Sequence, residues 1–74
     1  MSAYTGYNIY LNYKKVIDIL TEKEMTKKEL EKESGIADST MHKILMDLLK
    51  KNIIKIKRFD MSNGKTRILG IVKQ

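Results

Sequence analysis

Apolar positions recur every three or four residues over the first two-thirds of the chain and every second residue after Ile53. The first period belongs to helices and the second to half-buried strands. Tyr10, Tyr13, Ile17 and Leu20, flanked by Val16, form one stripe, which predicts a helix over 8–23 with Asn8 as its N-cap and residues 1–7 as an extension. Tyr4 and Tyr7 carry the three-residue spacing backwards from it. Thr26 followed by Glu29 is a capping-box pattern and opens a short second helix, 27–34, anchored by Leu30 and stopped by Gly35. Ile36 and Ala37 make a tight turn. A third helix over 38–51, starting at Asp38 or Ser39, carries Met41, Ile44, Leu45 and Leu48 at i, i+3, i+4 and i+7. Asn52 suits the left-handed position that ends it. Ile54, Lys55, Ile56 and Lys57 then alternate, Asn63-Gly64 is a hairpin-turn signal, and Thr66 to Val72 returns as a second strand. The expected fold class is α+β: one domain, 1–74, of three helices followed by a two-stranded hairpin over 53–73.

Charge changes this picture more than composition does. The net charge of the 74-residue chain is +6, but residues 1–40 sum to −1 and residues 41–74 to +7. A cationic surface on one half of a small domain is the footprint of a polyanionic partner. Thirteen of the fifteen cations are lysine, which meets phosphate as a point charge, so backbone contacts should outweigh bidentate base contacts. There is no cysteine and only one histidine, so neither a disulfide nor a conventional metal site is expected, and no cofactor is implied. No apolar run approaches a membrane span, and the first residues lack a signal-peptide pattern, so an intracellular, cytoplasmic protein is expected.

The stretch TKKELEKESGIADSTMHKILMDLLKKNIIKIKR, residues 26–58, resembles the winged helix-turn-helix family of transcription regulators, of the MarR-like and ArsR-like kind. The resemblance rests on Leu30, Gly35, Ile36, Ser39-Thr40, the Met41/Ile44/Leu45/Leu48 stripe, and Lys51-Asn52-Ile53-Ile54 leading into a strand. The hairpin from Phe59 to Arg67 extends it to about residues 10–73. It implies a third helix lying in the major groove of double-stranded DNA and a hairpin, the wing, reaching the flanking backbone or minor groove. The side chains suit that role. Ser39, Thr40, His42 and Lys43 lie opposite the core stripe near the start of the third helix, where base edges are approached. Arg58, Lys65 and Arg67 surround the Ser62-Asn63-Gly64 tip, and Lys27 and Lys28 sit at the start of the second helix, where phosphate is favoured. Asp38 departs from this pattern, since an acid there repels phosphate unless it caps the helix or accepts from a cytosine amine.

Four tyrosines, Tyr4, Tyr7, Tyr10 and Tyr13, exceed what a three-helix core of this size covers, and tyrosine is enriched at interfaces. They predict a twofold homodimer through the N-terminal segment and first helix, presenting two third helices to half-sites about one turn apart. The expected function is a DNA-binding regulator, a repressor acting by occlusion. The rival readings are a protein-interaction module, marked by Met46, Leu49 and the tyrosines, and a binder of structured RNA or unusual duplexes. An enzyme is not expected. His42 lacks a nucleophile partner, there is no glycine-rich phosphate loop, and Glu29, Glu31 and Glu33 share a short exposed helix.

Overall fold

A computed structural model describes residues 2–62 and 64–72, with side chains from Tyr10 onward. Three helices and three strands follow in the order α1 (Ser2–Glu22), β1 (Met25–Thr26), α2 (Lys27–Ser34), α3 (Asp38–Lys50), β2 (Ile54–Asp60) and β3 (Thr66–Ile71). The class is therefore α+β, with an antiparallel sheet ordered β1-β3-β2.

Two sequence expectations are corrected. Helix α1 starts at Ser2, so the chain from 2 to 7 is helical rather than a separate extension, and Asn8 lies inside the helix rather than capping it. The three-residue tyrosine spacing that runs back to Tyr4 is the visible trace of this. The sheet has three strands, not two, because the link between α1 and α2 pairs with β3, Met25 opposite Leu69 and Thr26 opposite Ile68. The strands of the hairpin end at Asp60 and resume at Thr66, which makes its connection longer than a two-residue turn. Asn63, half of the expected turn signal, lies outside the described residues, and Gly64 has φ 82°.

The core is a single cluster: Val16 and Leu20 from α1, Met25, Leu30, Ile36, four residues of α3 (Met41, Ile44, Leu45, Leu48), Ile54 and Leu69. On α1 the buried line is centred on Val16, with Tyr13, Ile17 and Ile19 packed beside it, whereas Tyr10 stands out in solvent at 67% exposure. Burial of this kind stabilises by about 25 cal/mol per Å² of apolar surface removed from water.

The junction between α2 and α3 is tightly specified. Thr26 Oγ1 accepts from the Glu29 N–H at 3.2 Å, and Glu29 Oε1 accepts from the Thr26 N–H at 2.9 Å, closing the capping box. Gly35 ends α2 at φ 75°, donating its N–H to the Glu31 carbonyl at 2.8 Å. Buried Ser34 ties the turn, its hydroxyl donating to the Leu30 carbonyl at 2.6 Å and accepting from the Ile36 N–H at 3.1 Å. Asn52 leaves α3 at φ 59°, a left-handed conformation that asparagine tolerates better than most side chains.

Candidate nucleic-acid interface

The core stripe of α3 fixes what its opposite face presents. With Met41, Ile44, Leu45 and Leu48 turned inward, Ser39, His42, Lys43, Met46 and Lys50 are exposed and Thr40 is half-buried at the side. None of the described chain covers this face. Helix α3 is 13 residues long, about 20 Å at 1.5 Å per residue.

A β-bulge decides what faces α3 from the hairpin. Ile54 pairs with Ile71 and Ile56 with Leu69, but the register then shifts, so Arg58 lies opposite Ile68 and Phe59 opposite Arg67. Directly opposed residues share a face, and faces alternate along a strand. Ile54, Ile56 and Phe59 therefore lie on the side of Leu69 and Arg67, towards the core and α3. Lys55 and Arg58 lie on the outer side with Gly70. Simple alternation from Ile54 would have given the reverse for Arg58 and Phe59. The shifted register places two further contacts on the outer face. Arg58 donates to Glu24 Oε1 at 2.5 Å, and Lys57 lies across Gly70, where an added Cβ would sit 2.7 Å from Lys57 Cε and 2.9 Å from its Cγ.

The cleft between α3 and the hairpin, about 900 Å³, is lined on its floor by Leu45, Met46, Leu49, Ile56, Phe59 and Leu69. Lys27, Lys28, His42, Lys65 and Arg67 stand around it. Five of the nine residues expected to meet DNA are thus brought to one concavity. Ser39, Thr40 and Lys43 belong to the adjoining face of α3, with Lys43 sharing a shallower hollow with His42, Met46 and Lys50. Arg58 is turned to the other face of the sheet.

Ion pairing sorts these cations further. Lys27 reaches Glu31 Oε2 at 2.7 Å and also contacts the Asp38 carboxylate, so it braces the starts of α2 and α3. The bond from Lys27, with a lesser one involving Glu31, pulls the Asp38 carboxyl below its ordinary range, while Asp38 and then Glu31 raise the Lys27 ammonium. Asp38 makes no helix cap, since Ala37 occupies that position without a side-chain bond. Its charge is met within the chain, which answers the departure it represented in the sequence and withdraws Lys27 from the free cations. Among the described residues, Lys28, Lys43, Lys50, Lys65 and Arg67 have no carboxylate partner. The Lys65 ammonium lies 5.0 Å from the centre of the Phe59 ring.

Of the tyrosines assigned to an interface, the side chains of Tyr4 and Tyr7 lie outside the described residues. Tyr10 is exposed beside half-open Leu11. Tyr13 is half-buried and donates its hydroxyl to Asp47 Oδ2 at 2.8 Å, locking α1 to α3. Sequence reasoning missed Phe59, whose turn into the cleft depends on the bulge, and Asp47, whose partner is distant in sequence.

Among the described residues no group of three or more potential ligands is placed to hold a metal ion, and no helix is long and apolar enough to cross a membrane. Comparison with protein-family models, with curated proteins and with solved structures gives no match.

Proposed function

We propose that this chain is a winged helix-turn-helix protein that binds double-stranded DNA, with α3 entering the major groove and the β2–β3 hairpin serving as the wing. The observation that carries this reading is the convergence of one uncovered helix face with unpaired cations from three elements. Lys28 on α2 and Lys65 and Arg67 on the hairpin stand around the cleft, and Lys43 and Lys50 line the adjoining hollow on α3, which shares His42, Met46 and Leu49 with it. Ser39, Thr40 and His42 supply short hydrogen-bonding groups at the leading end of α3 for base edges. Occlusion of a promoter by the bound protein is the simplest regulatory outcome, and a repressor is the proposed role. Two copies joined through α1 would place two such helices on successive half-sites.

Binding to a random-sequence duplex pool, read by fluorescence anisotropy across a salt series, tests this. The logarithm of the affinity should fall linearly with the logarithm of salt, at about 0.9 per phosphate contact. Lys43→Ala and Arg67→Ala should each weaken binding, Arg67→Ala reducing the salt slope by about 1. If neither variant changes affinity on any duplex, the proposed face is wrong.

The apolar floor of the cleft favours a second reading, a protein-interaction module docking through Met46, Leu49 and Phe59. That reading predicts partner binding insensitive to salt and no affinity for the pool.

A further inference from the structure

Met61 is 69% exposed, the most open large hydrophobic side chain among the described residues, and it opens the hairpin loop directly after β2. The chain around it is ordered by its neighbours. Asp60 Oδ1 accepts both the Ser62 N–H at 3.0 Å and the Ser62 hydroxyl at 2.6 Å, which closes a turn with Met61 between them. Asp60 is the only acid of the hairpin, and its Oδ1 is engaged within the turn by both Ser62 donors. Phe59 lies two residues back on the cleft side under the Lys65 ammonium, with Arg67 directly across the ladder. The exposed Met61 thus stands next to Asp60, with Lys65 and Arg67 on the β3 side of the hairpin around Phe59.

Resting on the DNA-binding reading, we propose that Met61 is an apolar wedge that enters the minor groove and partly unstacks a base step, with Phe59 packing behind it against deoxyribose. Proteins that bind this groove insert Met, Phe, Leu or Ile between base steps and hold the flanking phosphates with cations. Methionine is unbranched and flexible enough for a groove about 6 Å wide. Lys65 and Arg67 select a polyanion rather than an apolar protein surface as the occupant, because both would be left unpaired on the latter. The wedge makes the hairpin a reader of deformability. Steps that unstack easily, TA above all, are favoured over stiff A-tracts.

The test uses two duplexes about three helical turns long. One alternates T and A, so that a TA step lies under the hairpin in any register, and carries 2-aminopurine in place of some adenines. The other is an uninterrupted A-tract with the same reporter. The parent chain should bind the alternating duplex more tightly and raise its 2-aminopurine fluorescence. Met61→Ala should lose about tenfold in affinity there, the equivalent of withdrawing one buried methionine side chain. Its affinity for the A-tract should be unchanged, and so should its salt slope, since no charge is removed. Met61→Leu should keep the fluorescence rise. Equal affinities of the parent chain and Met61→Ala on both duplexes, with no fluorescence change, overturn the wedge while leaving DNA binding intact. Loss of self-association instead of fluorescence in Met61→Ala assigns the residue to a protein contact and overturns the wedge as well. Failure of the parent chain to bind either duplex at low salt overturns the DNA reading itself, and the wedge with it.

Discussion

At the residue scale, the tie between α1 and α3 is carried by one carboxylate. Asp47 accepts the Tyr13 hydroxyl at 2.8 Å and the Lys51 ammonium at 3.0 Å. Lys51 first, and Tyr13 second, hold the Asp47 carboxyl below the ordinary aspartate range, while the same bond raises the Tyr13 phenol. A carboxyl depressed by folding stabilises the fold at every pH above its unfolded value, and that contribution is lost as pH falls through the folded value, here below about pH 4. A phenol raised by folding behaves oppositely, its contribution being present below its ordinary value and lost as pH rises beyond about 10. Tyr13→Phe should therefore lower Tm at neutral pH. The gap from the parent chain should narrow both in acid, where Asp47 is protonated, and in strong base, where the phenol ionises. Circular-dichroism melts at three pH values decide this. A gap of constant size would mean that Tyr13 acts through packing alone. The role of this pair was hidden in the sequence, where Tyr13 read as one of four interface tyrosines and Asp47 as an isolated acid in a basic segment.

At the element scale, Thr26 serves two structures at once. It is the second residue of β1, paired with Ile68, and the N-cap of α2. Thr26→Ala removes the oxygen that accepts the Glu29 N–H and should cost about 1 kcal/mol of stability, read as a lower urea midpoint at unchanged slope. Thr26→Ser, which keeps the oxygen, should recover most of it. Elements whose cause is local were legible in the chain. The Thr26–Glu29 spacing announces the capping box, Gly35 and Asn52 occupy left-handed positions, and the α3 stripe gives both its buried and its open face. Elements whose cause is distant were not. A two-residue strand has no alternation to detect, so β1 exists only through its pairing with β3. The bulge after Ile56 goes with contacts to Glu24 and Gly70, far from β2 in sequence, and it exchanges Arg58 for Phe59 at the cleft. The local pattern could thus name a basic hairpin but not which of its cations face α3.

At the scale of the whole molecule, a helix of 21 residues is longer than this core needs. Among the described side chains its first fully buried one is Val16, and the turn before the Tyr13 anchor leaves Tyr10 at 67% and Leu11 at 40% exposure. An isolated helix end gains little stability in water without an apolar face to pack on. A second copy packed along α1, as in the proposed dimer, would supply such a face by twofold symmetry, since a self-complementary helix face is all such an interface requires. Sedimentation equilibrium at micromolar concentration should then report twice the 8.6 kDa chain mass. The double substitution Tyr10→Lys with Leu11→Lys should return the monomer without unfolding it, because neither residue belongs to the core cluster. On DNA the consequence is steeper than the loss of two contacts. A dimer binds its second half-site at the high effective concentration set by the first. The monomeric variant should therefore retain weak, salt-dependent binding to a single half-site and lose the extra affinity for paired ones. A parent chain that sediments only at 8.6 kDa would remove the dimer and predict one footprint of a single half-site.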